Sequence, residues 1–193
     1  MTAQFPDEFI FNDTVYSVAG IHGDPPFDPD WYAMNPVSPV TACWRGFICT
    51  FAIHDNELIL SRLSIHLGKI EGSGKFIPLV GPQINGRDPA LAIGPLPEFN
   101  NIYEGVDLPL PFTGGLLIAR DFIKELYVHM GFHPAWKYRE VWELLFDDGI
   151  LTDSQDVSMK LAELREKLMR EPLEPQKDAD LQKWIQGTFR LDY

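Results

Sequence analysis

The chain has 193 residues, 45% hydrophobic and 12% aromatic, which suffices for one folded domain and excludes disorder throughout. Its formal net charge of -12 argues against a general nucleic-acid binder, which needs a basic face, and disfavours anionic membrane surfaces. The acidity suits solubility, or a face for a basic protein partner.

The opening MTAQFPDEFIFND has no basic region followed by an apolar run, so no signal peptide is expected. No apolar run approaches the roughly 18 residues of a membrane span. Residues 8–21 read as a first hairpin, with Asn12-Asp13 tolerating the positive φ of a two-residue turn. The loop HGDPPFDPDWYAMNPVSP follows, and its prolines deny ladder hydrogen bonds. With Phe27, Trp31, Tyr32 and Met34 inside it, it is expected to fold back over the sheet.

Residues 41–67 read as a long hairpin turning at Asp55-Asn56. A two-residue turn sets His54 opposite Glu57. The alternation then puts Trp44, Ile48, Thr50, Ile59, Leu63 and Ile65 on a core face, with Cys43, Arg45, Cys49, Phe51, Leu58, Leu60, Arg62, Ser64 and His66 opposite. Arg45 would face His66, and Cys49 would face Arg62. On one strand Cys43 and Cys49 lie roughly 20 Å apart, too far for a disulfide. Two reduced thiols fit a cytoplasmic protein.

The connector GKIEGSGK lacks the spacing of a phosphate-binding loop, because Lys69 and Phe76 stand where that pattern needs Gly and Ser or Thr. Residues 77–111 are rich in proline and are expected to be irregular with short strands. Leu116 to Ala119 and Leu126 to Phe132 read as strands. Glu140 to Phe146 and Ile150 to Thr152 read as a hairpin around Asp148-Gly149. From Ser158 the period becomes helical, carrying Val157, Leu161, Leu164 and Leu168, with Asp156 or Ser158 as cap. A further short helix is expected around Leu181, Trp184 and Ile185.

The expected fold is α+β: an antiparallel twisted sheet, open or rolled toward a barrel, with C-terminal helices on one face or end. The chain reads as a single domain, 1–193, with a β-rich body over 1–157 and a helical region over 158–193.

Arg45, Arg62 and His66 on one face, with His129 and Glu104, form a candidate anion-binding site, since guanidinium groups offer forked donors. Pairing of each Arg with an acid is the competing structural reading. The loop HPAWKYRE offers His133, Trp136, Tyr138 and Arg139 as candidate partner-binding residues, because aromatics and Arg dominate interface energetics. The same Trp136 could instead pack on the core. His129 and His133 would be about 13 Å apart on a strand, too far for one metal, so neither a metal nor a cofactor is expected. There is no HExxH, CxxC or GxSxG motif, so no catalytic residue is assigned and the reading leans away from an enzyme without excluding one.

TACWRGFICTFAIHDNELIL and the later YEGVDLPLPFTGGLLIARDFIKELYVHMGFHPAWKYREVWELLFDDGIL resemble an uncharacterised bacterial protein family of unknown function. The resemblance covers residues 24–157. It implies a bacterial origin and places Trp44, Arg45, Gly46, Tyr127, His129, Met130 and Gly131 in the family's characteristic phrases, without an activity. The leading expectation is a non-catalytic cytoplasmic protein-binding domain, immunity- or antitoxin-like in one version. The alternative is a small anionic-ligand-binding protein or enzyme near Arg45, Arg62, His66 and His129. Self-association into a homo-oligomer is a third.

Overall fold

A computed structural model describes residues 2–72, 75–92 and 98–170. Eleven strands follow in chain order among these: β1 Glu8–Phe11, β2 Thr14–His22, β3 Phe47–His54, β4 Glu57–Ile65, β5 Gly68–Ile70, β6 Phe76–Pro78, β7 Ala90–Leu91, β8 Asn101–Pro109, β9 Gly114–Phe122, β10 Tyr138–Asp147 and β11 Ile150–Asp156. One α-helix, α1 Ser158–Arg170, ends the described chain. The second expected helix lies outside the described residues.

Three tight turns set the sheet. Asn12 and Asp13 have φ of 50° and 58°, Asp55 and Asn56 have 48° and 69°, and Asp148 and Gly149 have 46° and 83°. Left-handed backbone at both central positions matches the right-handed twist of paired strands, and Asn, Asp and Gly adopt it at least cost.

Nine strands form one sheet in the order β11-β10-β9-β2-β1-β3-β4-β8-β7, while β5 and β6 pair separately. The sheet curls until β11 meets β4 at Ile150 and Glu57. Contrary to expectation it is mixed, because β1 lies parallel to β3. The proline-rich crossover explains this: it carries the chain from β2 over the sheet, seating Phe27 and Met34 in the core, and returns it beside β1.

One face of the curled sheet forms the main core, with Phe9, Phe51, Leu58, Leu60, Leu63, Ile65, Tyr103, Leu116, Ile118 and Leu144. The opposite face of β2, β9 and β10 packs Ala19, Leu117, Ala119 and Val141 against Val157 and Leu161. That placement gives α1 its amphipathic stripe. Asp156 accepts from the Ser158 N–H, closing the first turn of the helix.

The long hairpin differs from its expected form in two ways. Residues 41–46 turn instead of extending, so Trp44 is 54% exposed and is not core. In addition, Phe51 faces Leu60 while Thr50 faces Arg62, leaving Ser61 as a bulge. One extra residue resets the alternation, so Leu58, Leu60, Leu63 and Ile65 are all buried. The core face of β3 is therefore that of Cys49 and Phe51, the reverse of the expectation. Cys43 and Cys49 are buried free thiols and do not share a strand.

Two other expectations are corrected. Residues 101–109 form a nine-residue strand instead of irregular chain. It absorbs its local irregularity at Gly105 and Asp107, with φ of 57° and 46°. Residues 126–132 are not a strand: a 3-10 turn, Lys124–Leu126, follows β9, and the chain then runs irregularly past Gly131, at φ 63°.

Candidate functional site

The CWRG and YVHMG segments meet across the N-terminal segment. The Gln4 amide N–H donates to Gly131 O at 2.9 Å. Its side chain donates to Thr41 O and accepts from the Trp44 N–H, both at 2.8 Å. The Phe5 N–H donates to Ala42 O at 2.8 Å. Residues 2–7 thus bind the 41–46 turn, while Gln4 reaches the 127–132 segment.

Arg45 anchors this junction. Its Nη1 and Nη2 donate to Asp7 Oδ2 and Oδ1, each at 2.8 Å. Asp7 Oδ1 also accepts from the Cys49 N–H at 2.8 Å. The guanidinium carbon lies 4.7 Å from the Phe47 ring centroid and 5.3 Å from that of Phe132. Burial would lower the Arg45 pKa, but the Asp7 carboxylate outweighs it and holds the guanidinium above its ordinary value. Gly46 has φ 75°, and a Cβ there would sit 2.7 Å from Val37 O, which accounts for a glycine after Arg45.

Beside this anchor lie Trp44 and Phe132, and the 127–132 segment also carries Tyr127, Val128 and Met130, each of the five between 45% and 59% exposed. Large apolar side chains on a short irregular segment and the turn bonded to it through Gln4 form an exposed apolar surface.

The candidate ligand residues do not share a partner. Arg62 points at Glu104, with Nε 3.0 Å from Oε1, an ion pair outside aligned hydrogen-bond geometry. Their Cα positions are paired across β4 and β8, so the register itself sets the contact. His66 stacks on Phe76 at 4.7 Å with Nδ1 unpartnered, and burial lowers its pKa. His129 is exposed and sits edge-on to Tyr127 at 4.9 Å.

Of the candidate partner residues, Arg139 is exposed. His133 packs between Phe122 at 4.7 Å and Tyr127 at 5.2 Å, with both ring nitrogens buried and unpartnered. Burial, reinforced by Lys137, lowers its pKa. Trp136 is half-buried, and its carbonyl accepts from Arg165 Nε at 2.8 Å. Tyr138 is buried, and burial raises its pKa. The 133–139 loop is therefore largely a seat for α1, and the exposed aromatic surface lies just upstream of it.

Two groups escaped sequence reasoning. Asp7 precedes the first strand and carried no local sign of its role. Tyr16, Arg120 and Glu140 meet across β2, β9 and β10: the Tyr16 hydroxyl donates to Glu140 Oε1 and Arg120 Nε to Oε2, both at 2.6 Å. Burial and then the Glu140 hydrogen bond push Tyr16 up to about 12, so it stays a proton donor. Alternation along β9 and β10 places Arg120 and Glu140 on the face of Ile118 and Trp142, a signal readable once those strands are paired.

Burial also raises both thiols, so neither cysteine is activated as a nucleophile. Among the described residues no three His, Cys, Asp or Glu side chains are placed to hold a metal ion, and no helix is long and apolar enough to cross a membrane. Comparison with protein-family models, curated proteins and solved structures finds no match to this chain.

Proposed function

We propose that the chain is a non-catalytic protein-binding domain of the bacterial cytoplasm that engages a protein partner through Trp44, Tyr127, Val128, Met130 and Phe132. The observation that carries this reading is their joint exposure on two segments that Gln4 joins, one of them anchored by Arg45 and Asp7. Exposed aromatics and Met beside an ordered Arg have the composition of an interface core. Pre-organisation by Gln4 and Asp7 reduces the ordering cost of binding.

The anionic-ligand alternative gains less support. Arg45 and Arg62 each carry a carboxylate partner, and burial favours neutral His66. Little positive charge is left for an anion.

Capture from the native host separates the readings. The wild-type chain should retain a stable protein partner, and a Trp44→Ala/Met130→Ala double variant with unchanged melting should lose it. Recovery of no protein, or equal recovery by both chains, contradicts the proposal.

A further inference from the structure

A cleft adjoins the apolar surface. It has a volume of about 550 Å³ and is lined by Phe5, Val15, Ile48 and Phe122, together with Glu8 and Asp121. Phe5 belongs to the segment that binds the Trp44 turn, and the Phe122 ring meets Tyr127 at 6.3 Å. Cleft and apolar surface are therefore neighbours.

The sheet register builds its floor. Thr50 pairs with Glu8, Glu8 with Ser17, and Ser17 with Ala119, so one row crosses β3, β1, β2 and β9. Asp121 lies two residues beyond Ala119, about 6.6 Å along the strand, and both residues line the cleft. Its φ is 59°.

The charges in this cleft do not balance. Arg120 also lines it, but Glu140 holds its Nε at 2.6 Å. Glu8 accepts a hydrogen bond from the Thr50 hydroxyl at 3.1 Å. Neither Glu8 nor Asp121 has a cationic partner within 4.0 Å among the described residues. Arg120 interacts with both Glu140 and Asp121, so one cation serves the three carboxylates Glu8, Asp121 and Glu140, and this net-acidic cleft with aromatic and aliphatic walls complements a cation on an apolar stem. Lysine and arginine side chains have that form, with methylenes that cover apolar surface and a charged head.

Building on the protein-binding reading, we infer that this cleft receives a lysine or arginine side chain of the protein partner. The apolar surface supplies contact area, while Glu8 and Asp121 select a basic residue beside it.

The test titrates the isotopically labelled full chain with blocked Ala-Arg-Ala and with its uncharged isostere, in which citrulline replaces arginine. The arginine peptide should shift the amides of Val15, Ser17, Ala119 and Phe122, and the citrulline peptide should bind at least about tenfold more weakly. A Glu8→Gln/Asp121→Asn variant should bind both peptides at the citrulline level. Asn tolerates the left-handed backbone at position 121, and the comparison on the wild-type chain does not depend on the variant folding. Equal binding of the two peptides, shifts confined to other surfaces, or no shift up to about 10 mM peptide overturns the inference. Because this uses the chain alone, its failure is distinct from failure of partner capture, which would overturn the protein-binding reading itself.

Discussion

Asp7 and Arg45 are joined by two parallel hydrogen bonds of 2.8 Å, although 38 positions separate them in the chain. The carboxylate also holds the Cys49 N–H, so one side chain fixes the Arg45 turn and the start of β3 together. The Asp7 side chain is 8% exposed and that of Arg45 is 33% exposed. In such a setting the loss of one partner is worse than the loss of both.

Asp7→Ala should therefore destabilise the chain by about 3 kcal/mol, because it strands both the guanidinium and a buried N–H. Arg45→Lys keeps the charge but not the fork, and should cost about 1–2 kcal/mol. Urea denaturation measures both. Equal and negligible effects would show that the pair does not hold the turn.

The Ser61 bulge should be indispensable, although its side chain is not. Deleting Ser61 restores an uninterrupted ladder in which Leu58 and Leu60 cannot share a face with Leu63 and Ile65. At about 2–5 kcal/mol for each core leucine lost, this exceeds the stability of an ordinary domain, and no cooperative unfolding transition should remain. Ser61→Ala should change stability by no more than about 0.5 kcal/mol. A cooperatively folding deletion variant would refute the assignment.

What the sequence disclosed follows the range of the physics involved. The turns at Asn12-Asp13, Asp55-Asn56 and Asp148-Gly149 rest on backbone preferences within two residues, and all three were legible. The bulge was not read, although LILSRLSI contains its trace: the apolar positions change parity at Ser61-Arg62. Strand β8 was hidden by Gly105 and Pro109, which a sheet accommodates only through local distortion. YVHMG alternates like a strand, but Gly131 at positive φ and the bond from Gln4 to its carbonyl hold it as irregular chain. Pairing of each Arg with an acid was among the structural alternatives, and Arg62 with Glu104 is one such pair. The choice of Asp7 for Arg45 was not, because it depends on tertiary placement.

Acid should loosen the His133 region. The folded chain favours the neutral imidazoles of His133 and His66, so their pKa values lie below the ordinary one. Below about pH 6.5 the unfolded chain takes up protons that these buried rings refuse, and stability falls as pH drops from about 7.5 to about 5.5. Buried Glu143 works in the opposite sense, since its raised pKa favours the folded state at low pH and that contribution is lost as pH rises through its folded value. Replacement isolates the histidine: His133→Phe keeps the packing against Phe122 and Tyr127 and should flatten the slope over this window. Parallel pH profiles for the wild type and His133→Phe would contradict the assignment.

The central claim concerns a surface, so its most direct measurement locates that surface. Hydrogen–deuterium exchange of the chain alone and of the chain with its captured partner would report which amides become protected. Protection is expected in residues 42–47 and 127–132. Unchanged exchange in both segments, with protection confined to α1 or to the outer edge of β11, would contradict it.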